Sequence, residues 1–168
     1  MNTINVVEDE IVVVGLGEVT ASRDANRTLT CLGLGSCVGL AMYDPVARVA
    51  GMAHIVLSNS RGKSGPGSSK YADLAVPMLI GQMKDLGALT SRIRAKIAGG
   101  AEMSPARGLG DMFKIGQENV AAVKSILAGV GASLTGSETG GSRGRTFRLN
   151  VGTGAATVSS AGQDIKEL

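Results

Sequence analysis

Twenty-five of the 168 residues are glycine. Glycine serves where a backbone turns tightly or lets another backbone come close, so this share demands a fold of many sharp corners. Between the corners lie short apolar runs of strand length. Residues 11–14 predict a buried strand, and residues 28–34 form an apolar, small-residue run that leads into Gly35-Ser36-Cys37. Residues 38–43 predict the next strand, Asp44-Pro45 a turn, and residues 48–57 the returning strand. Residues 93–98, closed by Gly99-Gly100, predict another, and the tail offers short strands at 133–134, 146–150 and 156–160.

Two segments carry a helical period instead. Ala72, Ala75, Val76, Leu79, Ile80, Met83 and Leu86 recur at 3.6-residue spacing, with Gly87 placed as a stop. Pro77 inside this pattern predicts a kink or a later first turn. Residues 118–128 predict the second helix, with Val120, Val123, Ile126 and Leu127 on one face. Residues 58–69 form a polar, glycine-rich loop of a length at which loops are usually either functional or mobile. The fold class expected is α+β, with layered mixed or antiparallel sheets, two main helices packed outside, and one domain over residues 1–168.

Composition narrows the functions. Hydrophobic residues make up 43% and charged residues 18%, which fits a packed core. No apolar run approaches the ~18 residues of a membrane span, so no membrane insertion is expected. The first residues lack the basic-then-apolar order of a secretion signal, so a cytoplasmic location is expected. Two Cys make no disulfide framework, and with a single His they are too few for a four-ligand Cys/His zinc site; no metal or other cofactor is expected. Aromatic residues are 2% of the chain (Tyr43, Tyr71, Phe113 and Phe147), too few for the stacking platforms of a single-strand nucleic-acid binder. Net charge is +3, with one basic cluster at Arg143, Arg145 and Arg148. That cluster reads as a solvated strand or loop, or else as a contact for an acidic partner surface.

The single histidine, His54, lies on a predicted strand, where a lone imidazole is commonly a bystander. Its relation to Cys37 changes the reading. The midpoint between the two falls between Pro45 and Val46, inside the predicted turn. A hairpin centred there sets Cys37 directly opposite His54, on one side of the sheet, with Cβ atoms roughly 4.5–5.5 Å apart. A slip of one residue would send His54 to the other face. A thiol beside an imidazole is a nucleophile beside a base: the imidazolium favours thiolate, and the same ring can later protonate a leaving amine. Gly33, Gly35 and Ser36 precede the thiol, where small residues admit a substrate and free N–H groups can hold an oxyanion. Cys31, six residues earlier, is either a small buried residue, a site member or a resolving thiol.

At these residues the chain resembles the CheD family, the chemoreceptor glutamine deamidases of bacterial and archaeal chemotaxis. The segment Leu32-Gly33-Leu34-Gly35-Ser36-Cys37-Val38 is similar to the family's nucleophile segment, and Gly51-Met52-Ala53-His54, 17 residues on, to its histidine segment. Further matches are Lys70-Tyr71-Ala72-Asp73, Lys96-Ile97-Ala98-Gly99-Gly100-Ala101, Ile115-Gly116 with Asn119-Val120, and Thr139-Gly140-Gly141 with Arg143. The resemblance spans roughly residues 10–160. It implies a cysteine amidohydrolase, a protein-glutamine glutaminase similar in its core to deamidating-toxin catalytic domains, with Cys37 as nucleophile and His54 as base and acid. Ser36 then belongs to the oxyanion or substrate-binding part of the site. The family carries a Thr six residues before the nucleophile, where this chain has Cys31, a poorer hydrogen-bond partner. Thr30, one step away on a strand, points to the opposite face, so another group such as a backbone carbonyl must orient His54 if activity is to be full.

The partners implied are methyl-accepting chemotaxis receptors and the CheC phosphatase, with the chain expected as a monomer. The substrate being a side chain on a long helical receptor, a shallow groove is expected, with residues 58–69 as its rim and Arg143 and Arg145 towards the acidic receptor. The competing reading is a weakly active adaptor that binds receptors or the phosphatase. A redox switch between Cys31 and Cys37 requires the two to lie on adjacent strands, because six residues along one strand hold their Cα atoms too far apart.

Overall fold

The computed structural model describes residues 8–103 and 114–168; Phe113 lies outside them. The strands are β1 (Glu10–Val13), β2 (Val19–Ser22), β3 (Arg27–Leu34), β4 (Val38–Asp44), β5 (Val49–Ile55), β6 (Arg94–Gly99), β7 (Ser133–Thr139), β8 (Arg145–Asn150), β9 (Ala156–Ser159) and β10 (Lys166–Glu167). The helices are α1 (Ala72–Asp85) and α2 (Ile115–Val130). One sheet runs β1-β3-β8-β9-β10 and the other β2-β5-β4-β6-β7. Both are mixed: β1 pairs with β3 and β6 with β7 in parallel, and the remaining pairs are antiparallel. The α+β class with layered sheets and two outer helices is the one expected from the sequence.

The layering follows from which faces are apolar. Every residue of β5, and all of β4 except Tyr43, is buried, as required of strands covered on both sides. Leu40, Met42, Val49, Ala53 and Ile55 pack with Ala75, Val76, Leu79 and Met83 of α1 and with Val123 and Leu127 of α2. The alternate residues Ala41, Ala50 and Met52 face the first sheet and pack with Leu29, Cys31, Phe147, Leu149 and Val158. The result is helix layer, sheet, sheet, with two apolar interiors sharing the β4–β5 hairpin. Gly51 lets α1 approach that hairpin closely: a Cβ there would lie 2.6 Å from Leu79 Cδ1 and 2.8 Å from Met83 Sδ.

Four local outcomes differ from the sequence reading. Strand β1, expected to be buried, is an exposed edge strand of the first sheet, with Ile11 65% and Val13 51% exposed. The first helix runs unbroken through Pro77, with no delay of its first turn. Pro77 sits on the exposed side, where water can satisfy the carbonyl that its missing N–H leaves free. Strand β2 is absent from the sequence reading; Val19-Thr20-Ala21-Ser22 alternates apolar and polar but over only four residues, and it pairs antiparallel with β5. The β4–β5 turn is displaced as well. Pairing continues to Asp44 opposite Val49, so Pro45, Val46, Ala47 and Arg48 form the loop. The Asp44 carboxylate accepts from the amides of Val46 and Ala47 at 2.9 and 3.1 Å, and Arg48 takes a left-handed φ of 56° to close the turn.

Candidate functional site

The displaced turn sets the site's register. Its centre lies between Val46 and Ala47, so His54 faces Gly39, and Cys37 does not face His54 directly. The displacement is two residues, and side chains alternate with a period of two, so the facing side survives. Gly39, and with it the Cys37 position two residues earlier, stays on His54's side of the second sheet, the side turned towards the first sheet. Cys37 itself lies in the bend just before β4, half-buried, while His54 is only 4% exposed.

Two segments hold the imidazole. The Nδ1 atom lies 3.0 Å from the Val14 carbonyl oxygen. A carbonyl only accepts, so Nδ1 carries the proton and donates, and Nε2 is the basic nitrogen of the neutral ring. The backbone is fixed too: His54 N–H donates to the Glu18 carbonyl at 3.0 Å, and the His54 carbonyl accepts from Gly17 N–H at 2.9 Å. Among the described residues Nε2 has no hydrogen-bond partner, so no hydrogen bond joins the ring to the Cys37 thiol. The backbone carbonyl named in the sequence reading as an alternative orienting group is thus present, as that of Val14.

The cysteine bend is held by its carbonyls. That of Gly35 accepts from Ala101 N–H at 2.8 Å, that of Ser36 from Asn119 Nδ2 at 3.0 Å, and that of Cys37 from Gly100 N–H at 2.8 Å. A Cβ on Gly99 would collide with the Cys37 carbonyl oxygen, and Gly99 has a φ of 109°, so only glycine fits beneath the bend. Burial pushes the Cys37 thiol above its ordinary value, and its own backbone N–H, bonding the sulfur, partly offsets this. The lowering by an imidazolium expected from the sequence is not what governs this thiol.

Cys31 is fully buried on the inner face of β3, opposite Phe147. Its Sγ lies 3.9 Å from the Ala53 carbonyl oxygen, which it can reach only as a weak donor. Burial first, and the nearby Cys37 second, push its thiol up to about 12, so it stays protonated. A Cβ on Gly39 would lie 3.6 Å from that sulfur, which puts Cys31 beside the Gly39–His54 pair. Thr30 pairs with Arg148 on the other face, as expected of its neighbouring position.

The loop over residues 58–69 lies next to His54. Val56 and Leu57 N–H groups donate to the Lys70 carbonyl, and Ser69 Oγ donates to the Gly17 carbonyl at 2.6 Å. Ser60 anchors the loop, its N–H and hydroxyl both donating to Asp73 at 2.9 and 2.7 Å. Arg143 is exposed, but Arg145 does not face outwards. It is 8% exposed, and its guanidinium donates to the carbonyls of Gly99 and Gly140 at 3.2 and 2.6 Å. Spacing carries the sign of this, because Arg145 alternates with Phe147 and Leu149 on the inner face of β8; its charge is what made it read as surface.

Asn119 is the site-forming residue whose role the sequence reading missed. Its signal was there: it shares a helix face with Val123 and Leu127, an amide on an otherwise apolar stripe. Two hollows, of about 440 and 450 Å³, are lined by neither Cys37 nor His54. The first, with Tyr43, Arg94, Lys96 and Gly154, lies at the far end of β4 from Cys37. Among the described residues, no three His, Cys, Asp or Glu side chains gather closely enough to hold a metal ion, and no helix is long and apolar enough to cross a membrane.

Two mixed sheets under a pair of helices define an α+β protein, with the Cys37 thiol and the His54 imidazole both on the side of the second sheet that faces the first. Comparison with known proteins makes that class specific. The chain belongs to the CheD family: the family model described as CheD chemotactic sensory transduction matches residues 56–160. It is 43% identical to the probable chemoreceptor glutamine deamidase CheD of Symbiobacterium thermophilum, over 92% of this chain and 95% of that one. It is 44% identical to the chemoreceptor glutamine deamidase CheD of Thermotoga maritima, over 93% of this chain and 98% of the other. Among solved structures, it is similar to the Bacillus licheniformis hypothetical protein YfiH, with a TM-score of 0.47, 17% identity, and coverage of 79% of this chain and 60% of that one.

Proposed function

We propose that this protein deamidates glutamine side chains of chemoreceptors, with Cys37 as nucleophile and His54 as proton carrier. One observation carries the assignment of roles: His54 has Nδ1 locked to the Val14 carbonyl and Nε2 unpartnered, on the sheet side that Cys37 shares. Family membership supports the substrate, since the relatives named above are chemoreceptor glutamine deamidases.

In the first half-reaction His54 Nε2 takes the Cys37 proton, and the thiolate attacks the carboxamide carbon. The oxygen of the tetrahedral adduct gains negative charge, for which the backbone N–H groups around Ser36 and Cys37 are the candidate donors. His54 returns the proton to the nitrogen, the C–N bond breaks, ammonia leaves and a thioester remains. Water then attacks the thioester with His54 accepting its proton. The C–S bond breaks, glutamate is released, and the proton goes back to sulfur. The raised thiol means that Cys37 rests protonated, so its deprotonation belongs to catalysis, with substrate in place, and not to the resting protein.

The same raised thiol, with no hydrogen bond to His54, supports a second reading: a weakly active adaptor that binds receptors or the CheC phosphatase. One measurement divides them. Incubation with receptor and mass spectrometry of its peptides reads the small mass gain when an amide becomes an acid. A gain that Cys37→Ala and His54→Ala both abolish is expected. No gain with native protein favours the adaptor, and a gain that survives Cys37→Ala refutes the nucleophile.

A further inference from the structure

We infer that Asn119 is a positioning residue of the site: its side-chain amide yokes the Cys37 bend to the end of the His54 strand and so sets the orientation of the Ser36–Cys37 peptide. The inference rests on the reading of Cys37 as nucleophile. Asn119 Nδ2 has two hydrogens and uses both, one on the Ser36 carbonyl at 3.0 Å and one on the Val56 carbonyl at 2.9 Å. Ser36 immediately precedes the thiol residue, and Val56 stands two residues beyond His54. One planar group thus joins the two chain segments that the chemistry needs together, and it comes from a third element, α2.

Peptide geometry carries the consequence to the sulfur. In a trans peptide the C=O and the following N–H point in opposite directions. With the Ser36 carbonyl drawn towards Asn119, the Cys37 N–H must face away from the helix. That N–H bonds the Cys37 sulfur when it is charged, and it is also a candidate oxyanion donor. The neighbouring ties, from Ala101 and Gly100, hold Gly35 and Cys37 carbonyls but do not reach the His54 strand.

The choice of side chain supports a role beyond packing. Asn119 is 1% exposed, and its Oδ1 is buried with no partner among the described residues. Leaving an acceptor in that state costs free energy, whereas an apolar residue would seat α2 on the sheet without the cost. Val123 and Leu127 do so on the same face. What an apolar residue cannot supply is two donors aimed at two carbonyls.

The test uses the full chain with Asn119→Asp, which keeps the shape and removes the donors, and Asn119→Ala. Expected for folded variants is a fall in kcat on receptor glutamines of about 10–100-fold, with KM within about twofold. The pH at which iodoacetamide labels Cys37, followed by mass spectrometry, is expected to rise. Asn119→Ser, smaller and still able to donate one hydrogen, is expected to fall between these variants and the native protein. Thermal melting sorts folded from unfolded variants, and where the first two do not fold, Asn119→Ser decides by the same readouts. Folded variants with native kcat and an unchanged labelling profile overturn the inference. A fully active Cys37→Ala refutes the nucleophile instead, and the labelling profile then still reports whether Asn119 orients the bend.

Discussion

His54 on β5 and Cys31 on β3 bring two polar side chains from facing sheets into the space between them and leave them in different states. The imidazole keeps a basic nitrogen free because the Val14 carbonyl occupies the other one. The Cys31 thiol is held protonated by burial, at about 12. Native protein treated with a disulfide reagent at neutral pH is therefore expected to release one equivalent of thiol, from Cys37, and a second only after denaturation; rapid labelling of Cys31 in the native state would contradict this. Because the Cys37 thiol is raised as well, its labelling rate is expected to keep climbing above about pH 9. Gly39 is the remaining determinant at this scale. A Cβ there would lie 2.9 Å from Phe147 Cδ1 and 3.0 Å from Leu34 Cδ1. Gly39→Ala is expected to destabilise by about 1–3 kcal/mol in urea titration, because a full interior must shift.

The elements place these residues, and here the outcome depends on parity more than on position. The sequence placed a turn at Asp44-Pro45 and a Cys–His pair across it; the observed turn sits two residues later per pairing, and the shared face persists because two is the strand period. What the local pattern did not contain was Asp44's role as an anchor. It binds the amides of its own turn, the Leu89 N–H at 2.9 Å and the Arg92 guanidinium at 2.8 Å, the last two more than forty residues away. Long-range partners leave no periodic trace; for Arg145 and Asn119 the apolar face each sits on was readable from spacing, but the carbonyls they bind were not. Helix α1, by contrast, was legible because its apolar stripe repeats over four turns. Asp44→Asn keeps the shape and loses the charge facing Arg92; a loss of about 2–4 kcal/mol in denaturant titration is expected. Gly99→Ala tests the other buttress. Its left-handed φ and the adjacent Cys37 carbonyl forbid a Cβ, so deamidation is expected to drop more than tenfold, measured on variant that melts cooperatively.

For the whole molecule, the hairpin β4–β5 is shared property: one face closes the helix layer and the other closes the inter-sheet core. Stability of its turn is therefore stability of the protein. Burial alone would raise the Asp44 carboxyl, but Arg92 and the amides of Leu89, Ala47 and Val46 outweigh it and hold the group at about 2. Its folded value lies below the ordinary ~3.9, so its contribution is complete above about pH 4 and disappears as pH falls towards 2. Acid titration followed by circular dichroism is expected to show native protein losing about 2–3 kcal/mol across that window from this group, a component missing in Asp44→Asn.

The hollow lined by Tyr43 and Arg94 bears on inhibitor discovery. It opens about 20 Å from the cysteine bend, the length of β4 at ~3.3 Å per residue. A molecule seated there would leave the sulfur accessible. Blockers of the chemistry would have to be built like a stretch of receptor, with an electrophile in place of the glutamine amide.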